Sequence, residues 1–192
     1  MPMKDWKKEI CTIPNLLSLF RLLLIPVYVY IYLNATEDHH YWLAGGILAV
    51  SCLTDMVDGK IARKFNLITN LGKVLDPLAD KFTQLSLIIC LSVHHKPLRL
   101  MLVLFLVKEF FQLFAMIIAL RWGKALNGAL TIGKLCTTVL FVSLTLMILF
   151  PQLSQQVTDT LTVICSVFLA LSFAEYIKAY FGKNKKIYNL EN

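Results

Sequence analysis

Long apolar runs, separated by short polar segments, occupy almost the whole chain. An α-helix needs roughly 20 predominantly apolar residues to cross the hydrocarbon core of a bilayer, and each run is about that long. The segments between the runs leave no room for a soluble domain. We therefore predict six membrane-spanning helices, at residues 14–33, 42–60, 70–93, 97–121, 128–150 and 157–181.

The residues before the first apolar run mix charged and apolar side chains. Trp6, Ile10 and Ile13 stand among lysines and acids, which is typical of an amphipathic helix lying in the membrane interface; a solvated charged tail is the alternative. The predicted fold is an all-α integral membrane protein with six transmembrane helices and a short N-terminal amphipathic juxtamembrane helix. We expect a single domain, 1–192, made of the interfacial helix 1–13, a six-helix bundle 14–181 and a cytoplasmic tail 182–192.

Lysine and arginine are concentrated at both ends of the chain and in every second loop. The clusters are Lys4, Lys7 and Lys8, then Lys60, Arg63 and Lys64, then Arg121 and Lys124, and finally Lys183, Lys185 and Lys186. The loops 34–41 and 151–159 contain neither residue, whereas Lys96 and Arg99 interrupt the pattern. Because short cytoplasmic loops hold the excess of basic residues, we predict that both termini face the cytoplasm, as in a bacterial-type cytoplasmic membrane.

Composition agrees with a membrane location and restricts the choice of partners. Hydrophobic residues make up 57% of the chain and charged residues only 16%, a balance far more apolar than that of soluble proteins. The net charge of +7 is explained by attraction to anionic lipid headgroups and gives no reason to expect a nucleic acid partner. The five cysteines stand singly, without the CxxC spacing of a zinc or redox site, and are interpreted as packing residues.

Four aspartates lie at or near membrane depth, in the second and third predicted spans. Asp55 and Asp58 are three residues apart and Asp76 and Asp80 are four apart, so each pair shares one helix face. Ionisable residues inside a membrane normally mark a functional site, because they are costly there. If the two faces meet, the carboxylates suit a hard divalent cation such as Mg²⁺ or Mn²⁺. Structural salt bridges to the lysines at positions 60, 73 and 81 are the alternative.

Small residues and one arginine accompany the aspartates. Gly59, Ala62 and Gly72 leave the backbone accessible to a nucleotide, and Arg63 can donate two hydrogen bonds to a phosphate. Each also has a simpler explanation, since small residues are common where membrane helices cross and Arg63 lies near the predicted cytoplasmic boundary. Together they favour a substrate that contains phosphate.

These positions resemble the signature of the CDP-alcohol phosphatidyltransferase family, D-x2-D-G-x2-A-R-x8-G-x3-D-x3-D. All eight fixed residues match it over 26 positions with every spacing kept: Asp55, Asp58, Gly59, Ala62, Arg63, Gly72, Asp76 and Asp80. The first span opens with Ile-Pro-Asn-Leu-Leu at residues 13–17, followed by Arg21, and is similar to that of the family's bacterial phosphatidylglycerophosphate synthases. The resemblance covers most of the chain and is strongest up to about residue 85.

The resemblance implies transfer of a phosphatidyl group from CDP-diacylglycerol to an alcohol, with release of CMP. It makes four aspartates the ligands of a two-metal centre of Mg²⁺ or Mn²⁺, and Asp80 also the general base. The implied metal ligands are Asp55, Asp58, Asp76 and Asp80, and the implied CDP-lipid contacts are Gly59, Ala62, Arg63 and Gly72. A homodimer is expected by analogy with the family alone.

The acceptor pocket is less clearly marked. Lys134 belongs to a GK-x2-T element similar to that of phosphatidylglycerophosphate synthases, and we expect it either to contact an acceptor phosphate or to extend to the membrane interface. The other candidate acceptor contacts are Lys108, Arg121 and Arg21. Glu109 is an acid within an apolar run, and it is expected to pair with Lys108 or with a site residue.

Glycerol 3-phosphate is the first choice of acceptor, with phosphatidylglycerophosphate as product. Synthases of that product typically have an Arg-Glu pair in the fourth span and a further arginine two turns later, whereas this chain has Lys108-Glu109 and then Met116. Lysine lacks the bidentate fork of arginine, so the difference suits an acceptor with less phosphate charge. The alternative acceptor is therefore phosphatidylglycerol, which the family's cardiolipin synthases use.

Two hypotheses from other classes also fit a set of intramembrane carboxylates. In an ion-coupled membrane transporter the aspartates would line the ion path, and a non-catalytic scaffold would keep the fold alone. The intact signature argues against both. A transporter has no need of the small residues that make room for a nucleotide, and a non-catalytic scaffold is free to lose an aspartate. Release of CMP from CDP-diacylglycerol separates the enzyme from either alternative.

Overall fold

The computed structural model describes residues 12–64, 69, 71–121, 124–126, 130–181 and 187–189, without the side chains of residues 13, 38, 55–64, 73, 74, 120 and the two strands. The described residues form α1 (Ile13–Leu33), α2 (Asp38–Lys64), α3 (Gly72–His94), α4 (Pro97–Arg121), α5 (Thr131–Leu149) and α6 (Gln155–Phe181). They also form β1 (Lys124–Leu126) and β2 (Ile187–Asn189). The predicted interfacial helix 1–13 lies almost entirely outside the described residues.

Each predicted span coincides with one helix. The prediction 97–121 has the bounds of α4, and 14–33 differs from α1 by one residue. The prediction 42–60 is four residues too short at each end, because α2 continues into polar residues on both sides of its apolar run. Hydropathy detects the apolar part of a helix, whereas the backbone hydrogen bonds extend beyond it.

Four of the helices are long and apolar enough to cross a membrane. These segments are Pro14–Leu33, Pro97–Ala119, Thr131–Leu149 and Gln155–Phe181. The helices α2 and α3, of 27 and 23 residues, hold the signature aspartates, which lower their hydropathy. At 1.5 Å per residue they are roughly 40 and 35 Å long, which is enough to span a core of about 30 Å. Membrane character is thus confirmed, and the crossing of α2 and α3 stays a prediction.

Large apolar side chains cover much of the surface. Leu100 is 77% exposed, Tyr30 71% and Phe110 67%, and each lies on a helix that is long enough to span a bilayer. Soluble proteins rarely expose extended apolar patches, and the favourable environment for such side chains is lipid. The exposed faces of these helices therefore agree with an integral membrane protein.

The chain divides into two compact units. Unit 1 consists of residues Met1–Cys90 and Ile148–Pro151, and unit 2 of Leu91–Met147 and Gln152–Asn192. In unit 1, α1 packs along α2, with the rings of Tyr32 and Tyr41 edge to face at 5.3 Å between their centres. The prediction of one domain over 1–192 is not tested by this division and stays a prediction.

Unit 2 is built on the packing of α4 against α6. The rings of Phe111 and Phe173 meet edge to face, 5.1 Å between centres. Tyr176 is buried nearby with Leu130 and Ala179. These contacts fix the part of α4 that contains Lys108 and Glu109, because Phe111 lies less than one turn beyond them.

A small antiparallel ribbon also belongs to unit 2. The strand β1 pairs with β2, with Ala125 opposite Tyr188, and β1 also contacts α4. The sequence predicted neither strand, and residues 182–192 were expected to be a tail. Strands of three residues are too short to show the alternation of apolar and polar positions by which strands are recognised.

Candidate active site

One face of α1 is polar although the helix is otherwise apolar. Asn15, Ser18 and Arg21 follow one another at intervals of three residues, which places them on the same side of the helix. None of the three is more than 2% exposed. Since polar groups buried in a membrane protein need partners, the contacts of this face define the site.

Ser18 contacts Asp76, the first signature residue of α3 whose side chain is described. The Ser18 hydroxyl lies 2.5 Å from Asp76 Oδ1 and donates to it. Hydroxyls bound to an ionised carboxylate lie at about 2.5–2.7 Å, closer than those bound to neutral acceptors. The bond therefore fixes the Asp76 carboxylate against α1.

Arg21 contacts Asp80, one turn further along α3. Its Nη1 lies 2.9 Å from Asp80 Oδ1. The arginine side chain is 3% exposed, whereas the aspartate side chain is 48% exposed. The ion pair thus compensates a positive charge buried in unit 1, and it leaves the carboxylate accessible to a ligand. Arg21 was predicted to bind the acceptor; the structure places it on Asp80, and its contact with acceptor stays a prediction.

Gly72 begins α3 directly against α1. Its N–H donates to Thr69 Oγ1 at 2.9 Å, and Asn15 Nδ2 donates to the same oxygen at 2.9 Å. A Cβ at Gly72 would lie only 2.6 Å from Asn15 Oδ1 and 3.1 Å from Thr69 Oγ1. Gly72 therefore has a packing role in bringing α1 and α3 together. Its predicted contact with CDP-diacylglycerol stays a prediction.

The other signature residues lie in the last turns of α2. They are Asp55, Asp58, Gly59, Ala62 and Arg63, all within Asp38–Lys64. The structure confirms that they are helical, and their side chains lie outside the described residues. Their predicted roles in binding metal and CDP-diacylglycerol stay predictions.

The described aspartates suit a divalent cation. Asp76 and Asp80 lie one turn apart, and both accept hydrogen bonds from α1. Carboxylate oxygens are preferred ligands of Mg²⁺ and Mn²⁺, and the half-exposed Asp80 is accessible to a hydrated ion. Among residues with described side chains, no group of three or more histidines, cysteines and acids comes together. Two aspartates supply only part of the ligand shell of such an ion, and the sequence predicts Asp55 and Asp58 as further ligands.

In unit 2, Lys108 and Glu109 form an ion pair on α4. Lys108 Nζ lies 2.7 Å from Glu109 Oε1, and the lysine side chain is 4% exposed. The same Nζ lies 5.7 Å from the centre of the Tyr176 ring, a distance at which a cation is attracted to the ring. Glu109 was predicted to pair with Lys108 or with a site residue, and the structure shows the pair with Lys108. The predicted contact of Lys108 with the acceptor stays a prediction.

The GK-x2-T element lies in the first two turns of α5. Gly133 packs against Tyr176, since a Cβ there would lie 3.1 Å from the tyrosine Oη, and Thr137 Oγ1 donates to the Gly133 carbonyl at 2.7 Å. The side chain of Lys134 is exposed, as is that of Arg121 at the end of α4. Both cations are accessible to an anionic ligand, and their predicted role in binding the acceptor stays a prediction.

Ser18 and Thr69 contact the predicted site residues but were not themselves predicted from the sequence. The signal for Ser18 was its place between Asn15 and Arg21 in an apolar run, at the spacing of one helix face. The signal for Thr69 was a threonine three residues before the helical Gly72, the spacing at which a capping hydroxyl meets a helix N–H. Neither pattern reveals the contact between elements, which is Ser18 with Asp76 and Thr69 with Asn15.

Comparison with known proteins gives an independent view of the whole chain. A sequence model of the CDP-alcohol phosphatidyltransferase family matches residues 11–173, a range that includes all eight signature positions. A Bacillus subtilis protein named CDP-diacylglycerol–glycerol-3-phosphate 3-phosphatidyltransferase is 30% identical over 191 residues, which is 90% of this chain and 94% of the relative.

Two other relatives are named cardiolipin synthases. A CMP-forming cardiolipin synthase of Streptomyces coelicolor is 35% identical over 145 residues, which is 73% of this chain and 66% of the relative. A cardiolipin synthase and mitochondrial hydrolase fusion protein of Schizosaccharomyces pombe is 46% identical over 89 residues, 45% of this chain and 14% of the relative. The chain thus spans less than two thirds of the length of these two proteins. The long apolar helices described above are those of a membrane protein. Because the family model matches most of the chain and the Bacillus subtilis relative is matched over nearly its whole length, the chain belongs to the CDP-alcohol phosphatidyltransferase family.

Proposed function

We propose that this enzyme transfers a phosphatidyl group from CDP-diacylglycerol to an alcohol and releases CMP. The observation that supports this best is the arrangement of Asp76 and Asp80, two signature acids that α1 holds on one face of α3. An acid pair held in this way suits the divalent cations that accompany a diphosphate substrate.

The reaction is a direct displacement at phosphorus. The hydroxyl oxygen of the acceptor attacks the phosphorus that bears diacylglycerol, and the bond from that phosphorus to the CMP oxygen breaks. Asp80 accepts the proton of the attacking hydroxyl. Its half-exposed side chain is accessible to that hydroxyl, and the ion pair with Arg21 keeps the carboxylate in one orientation. Such a transfer needs no protein nucleophile.

Divalent cations would complete the site. Asp55, Asp58, Asp76 and Asp80 would hold Mg²⁺ or Mn²⁺, and the bound metal would supply positive charge to the diphosphate and the leaving CMP. Gly59, Ala62, Arg63 and Gly72 would contact the cytidine and phosphate part of CDP-diacylglycerol. Treatment with EDTA should abolish CMP release and excess Mg²⁺ or Mn²⁺ should restore it. Undiminished turnover in excess chelator would refute the metal centre.

Glycerol 3-phosphate is the acceptor that we favour. The Bacillus subtilis relative, whose name states that acceptor, is matched over nearly the whole length of both chains. Lys134 and Arg121 are exposed cations that suit a phosphate group on a small acceptor. Lys108 and Arg21 are the remaining candidate contacts.

Phosphatidylglycerol is the second candidate, which would make the enzyme a cardiolipin synthase. Lys108 is buried and already paired with Glu109, which leaves less positive charge for a doubly charged phosphate. The Streptomyces coelicolor relative, matched over 73% of this chain, is named a cardiolipin synthase. Phosphatidylglycerol has a singly charged phosphodiester, which needs less positive charge from the side chains that bind the acceptor.

The deciding experiment gives the purified enzyme CDP-diacylglycerol with each acceptor separately and identifies the lipid product. Phosphatidylglycerophosphate as product supports the first acceptor, and cardiolipin supports the second. If neither acceptor supports CMP release but a different alcohol does, that alcohol is the acceptor. An absence of CMP release with any alcohol would contradict the proposed function.

The proposed enzyme works as a homodimer with both termini and the active site on the cytoplasmic side, where the soluble acceptor and CMP are found. The alternation of basic and uncharged loops supports this orientation. Crosslinking in membranes tests the dimer, since a monomer under every condition of active enzyme would contradict it.

A further inference from the structure

Ser18 is fully buried on α1 and donates its hydroxyl to a signature aspartate. Its exposed fraction is 0%, and its bond to Asp76 Oδ1 joins residues 58 positions apart in sequence. A serine inside an apolar helix usually satisfies its hydroxyl on the carbonyl four residues earlier. Ser18 has such a carbonyl within reach, that of Pro14, at 3.1 Å.

The hydroxyl has a single proton, so Pro14 and Asp76 compete for it. The distance to Asp76 is 2.5 Å and the distance to Pro14 is 3.1 Å. Hydrogen bonds to an ionised acceptor are shorter and roughly twice as strong as those between neutral groups. The shorter bond is the one to the carboxylate, and the contact with Pro14 is the weaker of the two.

The residues on either side of Ser18 fix its position. Asn15, three residues before it, is bonded to Thr69 at 2.9 Å, and Arg21, three residues after it, is paired with Asp80 at 2.9 Å. These contacts hold α1 in one rotation relative to the beginning of α3. Ser18 thus meets Asp76 at a defined place, between two other polar contacts.

We propose that Ser18 is a positioning residue for the transfer reaction, because its hydroxyl orients the Asp76 carboxylate toward the divalent cation. The proposal rests on the proposed function, in which Asp76 is a metal ligand. Partners that orient a metal-binding carboxylate typically change metal affinity roughly 10- to 100-fold when they are removed. A residue that only joined two helices would change stability without this effect on the metal.

The test compares Ser18→Ala with Ser86→Ala in the full-length protein in detergent. Ser86, on α3, is a matched control because its hydroxyl contacts Tyr28 of α1 and donates to the Thr83 carbonyl at 2.7 Å. It lies ten residues from Asp76, or about 15 Å along the helix. Two quantities are measured: the dissociation constant of Mn²⁺, from the electron paramagnetic resonance signal of the free ion, and the melting temperature without metal.

Ser18→Ala should weaken Mn²⁺ binding roughly 10- to 100-fold, and Ser18→Thr, which keeps the hydroxyl, should restore most of the affinity. Ser86→Ala should bind Mn²⁺ as the wild type does, even where both alanine variants melt earlier. Unchanged affinity in Ser18→Ala, or an equal loss in Ser86→Ala, would overturn the proposal. If Ser18→Ala cannot be purified, Ser18→Cys keeps the side-chain volume with a weaker donor, and wild-type affinity in that variant also overturns it.

The wild-type protein separates this proposal from the proposed function. If it releases CMP from CDP-diacylglycerol and binds Mn²⁺ while Ser18→Ala binds the ion equally well, only the role of Ser18 is contradicted. If the wild type neither binds Mn²⁺ nor releases CMP, the proposed function fails and the role of Ser18 fails with it.

Discussion

At the scale of single residues, Gly72 has no space for a side chain. A Cβ would lie 2.6 Å from Asn15 Oδ1, so Gly72→Ala must displace the Asn15 amide and break its bond to Thr69. Overpacking of this kind costs about 1–3 kcal/mol. We predict that Gly72→Ala lowers the melting temperature in detergent and that Asn15→Ala in the same chain recovers part of the loss, because it removes the obstructing amide.

Gly46 is a suitable control for this substitution. It is an exposed glycine on α2, and a Cβ there would meet nothing within 4 Å. Alanine is the better helix former, so Gly46→Ala should leave the melting temperature unchanged or raise it. A Gly72→Ala protein as stable as Gly46→Ala would show that the contact with Asn15 does not restrict this position.

Arg21 has two proposed roles, and a substitution separates them: it positions Asp80, or it binds the acceptor. Its ion pair with Asp80 at 2.9 Å predicts that Arg21→Gln acts mainly on the proton transfer. General base catalysis typically contributes about 10²- to 10⁴-fold, and part of it should be lost. We expect kcat to fall at least tenfold, with the acceptor KM nearly unchanged. Steady-state kinetics with varied acceptor measures both constants.

The conservative variant and a distant arginine complete that experiment. Arg21→Lys keeps the charge but loses the planar fork, so it should recover some of kcat. Arg99, whose Nε donates to the Ser92 carbonyl at 3.1 Å, has no place in the proposed site, and Arg99→Gln should keep both constants. A large rise in acceptor KM with little change in kcat for Arg21→Gln would instead assign Arg21 to the acceptor pocket.

At the scale of one helix, α4 contains a buried ion pair whose members are adjacent in sequence. Lys108 is 4% exposed and Glu109 20% exposed, so removing one partner takes away the ion pair of a charge that is largely shielded from water. Breaking a buried pair in this way costs about 3–5 kcal/mol. We predict that Glu109→Gln strongly lowers thermal stability, and that Lys108→Met combined with Glu109→Gln recovers most of it, both measured as melting temperature in detergent.

Asp159 provides the comparison on an exposed helix turn. It accepts a hydrogen bond from Gln155 at 2.9 Å at the beginning of α6. Asp159→Asn should change stability little, because an exposed pair four residues apart on a helix contributes about 0.2–0.5 kcal/mol. The double variant also reports on the acceptor. If the double variant recovers stability but raises the acceptor KM, Lys108 binds the acceptor as well as pairing with Glu109. Equal losses of stability from Glu109→Gln, the double variant and Asp159→Asn would contradict a buried pair.

At the scale of the whole molecule, the distribution of basic residues predicts the orientation in the membrane. Both termini are predicted to be cytoplasmic, so a cysteine at position 192 should react with an impermeant maleimide only from the cytoplasmic side, and one at Asp38 only from outside. The native cysteines are replaced first; Cys90, Cys136 and Cys165 are buried. Labelling with the two sides exchanged would refute the orientation and the proposed cytoplasmic active site.

The sequence by itself determined the helices and the membrane environment, because both depend on local composition. The run 97–121 predicted α4 without error. The two adjacent charges in an apolar segment made Lys108 one of the two predicted partners of Glu109, and it is the one that the structure shows. The spacing of Asp76 and Asp80 gave the shared face of α3 in the same way. The β1–β2 ribbon was missed, since its two strands are three residues each and lie far apart in the chain.

Only the tertiary structure decided what the polar face of α1 contacts. Asn15, Ser18 and Arg21 could be seen as a stripe in the sequence, but their partners Thr69, Asp76 and Asp80 lie 54, 58 and 59 residues away. Helix periodicity fixes which side chains share a face, whereas the rotation of one helix against another depends on every contact between them. The Ser18–Asp76 bond and the lack of space at Gly72 therefore depend on how α1 packs against α3, which only the tertiary structure shows.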